Sequence, residues 1–78
     1  MEKEILERLI EEYSDLSIKI GKLREFIGDT DKFESLDDLN KDLLVAQLNA
    51  MSSYIAILLI RINLNSNQEE ANEADSSN

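Results

Sequence analysis

The chain has 78 residues, with 8 Lys+Arg against 17 Asp+Glu for a formal net charge of -9, and it carries no His, Cys, Pro or Trp. Those absences exclude Ser-His-Asp and Cys-His triads, His/Cys zinc sites, haem ligation by anything but Met or Tyr, and a disulfide framework. The acidic balance also speaks against a grip on DNA or RNA polymers, which needs a basic surface, and so short a chain seldom builds a robust core without a metal, a disulfide or a partner.

No basic stretch followed by an apolar core opens the sequence, and the longest apolar run, Ile55 to Ile60, is far below the ~20 residues that span a bilayer. The expectation is a soluble intracellular protein with no membrane partner. A first helix is expected over residues 2–27. Leu9, Tyr13, Leu16, Ile20, Leu23 and Ile27 follow a 4-3-4-3-4 spacing that keeps them on one face, and Leu6 and Ile10 widen the stripe. Glu2, Glu4 and Glu7 suit the positive end of its dipole, and Gly28 follows as a helix-ending glycine. Gly21, inside the helix, costs roughly 1 kcal/mol against Ala and is either a close-approach point or a weak spot.

The break falls at Gly28-Asp29-Thr30-Asp31. A second helix is expected over residues 36–64, with Ser35 as its N-cap and Asp38 three positions on. Leu44, Leu48, Met51, Ile55, Leu58 and Ile62 repeat the 4-3-4-3-4 spacing, while Leu36, Leu43, Ala50, Tyr54, Ile57 and Leu64 mark a second face. Residues 54–64 are apolar on almost every side, and leaving those side chains in water would forgo ~1.5 to 3 kcal/mol each. The fold class is therefore all-α, an antiparallel helical hairpin with an interrupted connection, assembled as a helical homo-oligomer with the C-terminal part of helix two at its centre. A membrane-surface helix competes with this reading but lacks the Lys/Arg-rich polar face such helices use. Residues 65–78 hold Glu69, Glu70, Glu73 and Asp75, no base and no apolar side chain larger than Ala, and read as an acidic, disordered tail.

Local positive density is confined to Lys19, Lys22 and Arg24, with Lys32 in the connection. These side chains either neutralise nearby acids through helix-spaced pairs or contribute to an anion site. Arg61 interrupts the most apolar stretch, so it either pairs with an acid of another copy or faces a bound phosphate, to which its planar fork is suited. Tyr13 is either a core residue or a platform for a nucleobase. Thr30 is either a turn residue or a phosphate-binding hydroxyl. Adjacent acids such as Glu11/Glu12 and Asp37/Asp38 do not face one another on a helix, and no calcium-loop spacing occurs, so neither catalysis nor a metal site is expected, and no cofactor.

Leu9, Glu12-Tyr13, Leu16, Lys19-Ile20, Lys22-Leu23, Phe26-Ile27 and Phe33, then Leu43-Leu44, Gln47-Leu48, Ala50-Met51, Tyr54, Leu58 and Arg61-Ile62, resemble a family of small phage proteins. That family takes in proteins related to those of crAss-like phages and the anti-CBASS cyclic-oligonucleotide sponges. The resemblance implies a non-catalytic helical homohexamer in the host cytoplasm that holds cyclic di- or trinucleotide messengers of CBASS immunity away from their effector. It further implies that Tyr13 stacks on a base, that Thr30 holds a phosphate and that Arg61 grips phosphates of the larger cyclic ligand. The family's lysine after Phe-Ile is Gly28 here, so Lys22 or Lys32 is expected to take its part. A second class of function stays open, a structural or adaptor oligomer whose acidic surface engages a host protein. So does a sponge for a related messenger, such as the ADP-ribose derivatives of Thoeris immunity.

Overall fold

The computed structural model describes residues 2–76, with side-chain surroundings for residues 3–67. The described residues are all-α: α1 spans Glu2–Gly28, α2 is a single turn and a half at Thr30–Glu34, and α3 spans Asp38–Ser76. The molecule is a rod of 62 × 17 × 15 Å. Its length is that of α3, since 39 residues at ~1.5 Å each reach about 58 Å. The 27 residues of α1 reach only about 40 Å, so α3 outruns its neighbour.

The core lies where the two expected stripes meet. Leu9, Leu16 and Ile20 of α1 and Leu58 of α3 are buried, with Tyr13, Leu48, Met51, Ile55 and Ile62 packed against them. Leu58 has no exposed surface at all. Within the C-terminal part of helix two, expected at the centre of an oligomer, Leu58 is instead the centre of the chain's own core, because α1 covers that side of α3. What α1 leaves uncovered is the second face of α3. Leu43, Tyr54, Ile57 and Leu64 are exposed, as are Leu59 and Ile60 beside them.

The connection also differs from the sequence reading. Gly28 ends α1 without a left-handed backbone, since no described glycine has a positive φ. Asp29 closes the helix instead, its N–H donating to the carbonyls of Glu25 at 3.0 Å and Phe26 at 3.2 Å. Its extended backbone then turns the chain, and its side chain caps α2 by accepting from the Lys32 N–H at 3.3 Å. Ser35 does not cap the second long helix. Its hydroxyl donates to the Lys32 carbonyl at 2.7 Å and finishes α2. Asp37 is the cap of α3, accepting from the Asn40 N–H at 3.3 Å and the Asn40 side-chain amide at 2.6 Å. The helix begins at Asp38 because the extra turn of α2 consumes the residues expected to start it.

At its far end α3 continues past the expected limit of Leu64 to Ser76. With neither Gly nor Pro beyond Leu64 and with Glu, Gln and Ala among its residues, that segment contains no helix breaker. The last two residues of the expected tail lie outside the described residues. Gly21 has nothing within 4 Å of where a Cβ would stand, so inside one chain it is not a close-approach point.

By length and composition alone, α3 is apolar enough over Asp38–Asn67 to cross a membrane. The longest uninterrupted apolar run understates this, because no charge occurs between Asp42 and Arg61. Yet α1 packs along the same stretch and carries the exposed charges Glu11, Glu12, Asp15, Lys19 and Lys22. Carrying those five charges into hydrocarbon would cost on the order of 10 kcal/mol, since one Lys or Asp at a bilayer centre costs about 2.5 to 3.5 kcal/mol.

Candidate functional site

Three stations along the rod carry the residues that could meet a ligand. The first is at the connection. Lys22, Glu25, Phe26, Asp29 and Lys32 line a groove of roughly 260 Å³. Lys22 comes from the exposed side of α1, and Lys32 is brought opposite it by the cap at Asp29. The Lys32 ammonium is 3.9 Å from the Asp29 carboxylate, with its side chain 68% exposed, so this pair is loose and the base is available. Thr30 opens α2 with its side chain in solvent, and Gly28 precedes it, also exposed. A side chain added at Gly28 would meet nothing within 4 Å.

A tie to α3 fixes this end. Lys41 donates a 2.7 Å hydrogen bond to Glu34 of α2. The same ammonium lies 5.9 Å from the centre of the Phe33 ring, within cation–π range. The Glu34 hydrogen bond holds the Lys41 pKa above its ordinary value, with the nearby charges of Glu34 and Asp38 adding to it and desolvation opposing.

The second station is at mid-length. Tyr13 is half-buried against the core and lines a groove of roughly 470 Å³ with Ser17, Gly21, Arg24, Ser52 and Ile55 among its neighbours. The aromatic face near two hydroxyls can take a base, and Arg24, about 16 Å further along α1, can meet a phosphate at the other end of the groove. Gly21 keeps the middle of this groove open, since nothing stands within 4 Å of its missing Cβ.

Arg61 defines the third station, sharing a groove of roughly 360 Å³ with Ile5, Arg8, Leu9 and Glu12. The two ion pairs found among the described residues are Lys32–Asp29 and Lys41–Glu34, so Arg61 has no carboxylate partner within the described chain. Its backbone carbonyl accepts from the Asn65 side chain at 2.7 Å, a local bond that leaves the guanidinium free of it.

The structure thus brings Lys22, Lys32, Gly28 and Thr30 to one end, but it does not bring Tyr13 or Arg61 to them. Fifteen positions separate Tyr13 from Gly28 on one continuous helix, about 22 Å of axial rise. Arg8 is the residue that sequence reasoning passed over. It gave no signal of its own, being one of several charges beside the apolar stripe of α1, and only the packing of α1 on α3 puts it beside Arg61. Arg24, read from the sequence as local positive charge, lines the Tyr13 groove from the same helix, eleven positions and about 16 Å of axial rise further along α1.

A family model described as Sequestin matches residues 3–64, nearly all of the helical body. No curated protein and no solved structure matches the chain.

Proposed function

The chain belongs to the Sequestin family, and from that membership we propose that it is a non-catalytic protein that binds and sequesters cyclic di- and trinucleotide messengers of bacterial CBASS defence. The family match over residues 3–64 carries this reading; its name denotes sequestration and fits the sponge family that the sequence resembles. Sequestration requires no reacting group, which suits a chain without His or Cys. It requires tightness, and tightness requires several charge-assisted contacts to phosphate around a stacking surface.

The spacing of the stations bears on how a pocket is made. A cyclic dinucleotide is too small to touch Tyr13 and Thr30 of the same chain across about 22 Å of helix. In our reading the antiparallel α1–α3 hairpin is one unit of a homo-oligomer, a hexamer by family likeness. A pocket then takes Tyr13 from one copy and Thr30 with Lys22 or Lys32 from a neighbour. The exposed face of Tyr54, Ile57, Ile60 and Leu64 is what the copies cover in one another. Arg61 serves the larger, trinucleotide ligand at a separate place.

Isothermal titration of the folded oligomer with 3',3'-cyclic GMP-AMP and with cyclic tri-adenylate tests the proposal. Saturable heat with at least one of them is expected. No heat with either, from protein whose helicity and mass are intact, overturns it and turns attention to an ADP-ribose messenger or to a host protein held through the acidic surface.

A further inference from the structure

We propose that Arg8 is a second phosphate-gripping base, acting with Arg61 across the α1–α3 groove on an anion that carries more than one phosphate. The inference rests on the phosphate-ligand reading above only for the identity of that anion.

Arg8 lines the roughly 360 Å³ groove that it shares with Arg61; with Glu12 it also reaches a roughly 320 Å³ groove where Glu11, Asp15, Lys19 and Tyr54 stand. Two guanidiniums from different helices therefore rim the same concavity. Its apolar lining is the buried Leu9, which forms a floor, and the exposed Ile5. Like charges brought to one groove repel, and a protein ordinarily offsets them with carboxylates. Here Glu12 is the single acid of the groove, four positions from Arg8 on the same helix. Neither arginine is in an ion pair with it or with any other described acid. One carboxylate against two guanidiniums leaves a net positive groove in a chain of net charge -9. Both side chains are exposed, so their forks are free to close on a ligand from two sides. A planar five-donor fork on each wall suits separated phosphates better than a single small anion, and an apolar floor between them suits the base or ribose that joins those phosphates.

The experiment compares wild type, Arg8→Ala, Arg8→Gln and Glu12→Gln by isothermal titration, using cyclic tri-adenylate and inorganic tripolyphosphate as probes. Circular dichroism and sedimentation serve as checks of fold and mass. Loss of one charge-assisted contact predicts binding of cyclic tri-adenylate about ten- to hundredfold weaker in Arg8→Ala. Arg8→Gln, which keeps an extended side chain without the charge, weakens it similarly and stands in should the Ala variant misfold. Glu12→Gln, which removes the competing carboxylate, tightens it severalfold. Wild-type binding of cyclic tri-adenylate that is unchanged in Arg8→Ala or Arg8→Gln overturns the role of Arg8 and leaves the sponge reading intact. Tripolyphosphate binding that depends on Arg8, with no response to cyclic tri-adenylate, upholds the inference and overturns the reading of a trinucleotide sponge. Binding of neither probe overturns both.

Discussion

Leu58 and Ile57 are neighbours in the chain and nearly alike in chemistry, yet Leu58 has no exposed surface and Ile57 is 53% exposed. The same contrast runs along α3: the stripe through Leu48, Met51, Ile55, Leu58 and Ile62 is closed by α1, and the face through Tyr54, Ile57, Ile60 and Leu64 is closed by nothing in the same chain. One helix therefore serves two kinds of packing. The inner stripe holds a single chain together, and the outer face is apolar surface whose burial depends on something else.

Substitutions on the two faces should come apart. The largest effect is expected at Leu58→Asp, which puts an unpaired charge in the only fully buried position among the described residues and should abolish the helical circular dichroism signal. Persistent helicity in that variant would mean that α1 does not cover this side of α3 in solution. Next comes Ile57→Asp combined with Ile60→Asp on the outer face. Sedimentation should show a lower mass, with helicity largely kept by the inner stripe. If mass and stability are both unchanged, copies do not cover that face. Third, Tyr13→Ala and Thr30→Ala should each weaken cyclic dinucleotide binding at least about tenfold, as expected for loss of a stacked base or a charge-assisted contact. If the pocket is shared, a mixed oligomer of the two variants regains some wild-type pockets, and titration should find a fraction of tight sites.

A smaller effect is expected at Gly21→Ala. The position is exposed and an added Cβ meets nothing within 4 Å, so thermal unfolding should shift upward by the equivalent of roughly 0.5 to 1 kcal/mol. A downward shift would locate a neighbouring copy against Gly21. The smallest is at the tie between α2 and α3. Because the Lys41 pKa is raised by Glu34, its contribution to stability is complete below the ordinary lysine value and fades as pH climbs through the raised folded value. The thermal midpoints of wild type and Lys41→Met should therefore differ slightly at neutral pH and converge in strong alkali. A difference that persists there would assign the effect to packing against Phe33.

The two helical stripes were legible from spacing alone because 4-3-4-3-4 on each segment leaves one face for the partner helix. The role of Leu58 was not. Over residues 54–64 apolar side chains occupy nearly the whole circumference, and periodicity cannot say which of them faces α1. The connection was missed for a different reason. α2 is five residues held by the side chains of Asp29 and Ser35 and by a salt bridge reaching seven positions to Lys41, and no hydrophobic period marks it. Tyr13, Thr30 and Arg61 entered through resemblance, and their residue types alone left a core or turn role equally open. That they lie at three separate stations follows only from the straightness of α1 and its packing on α3.

The unequal lengths of the helices have a consequence for how such rods could lie together. The part of α3 beyond α1 leads into Glu69, Glu70, Glu73 and Asp75 with no base among them. Side-by-side copies pointing the same way would crowd these acids at one pole, within the ~8 Å over which physiological salt lets charges feel each other. Copies that alternate in direction divide the acids between two poles and avoid that repulsion. In an assembly of such rods the overhang would act as a polarity mark, and its penalty for parallel stacking should fade as salt is raised.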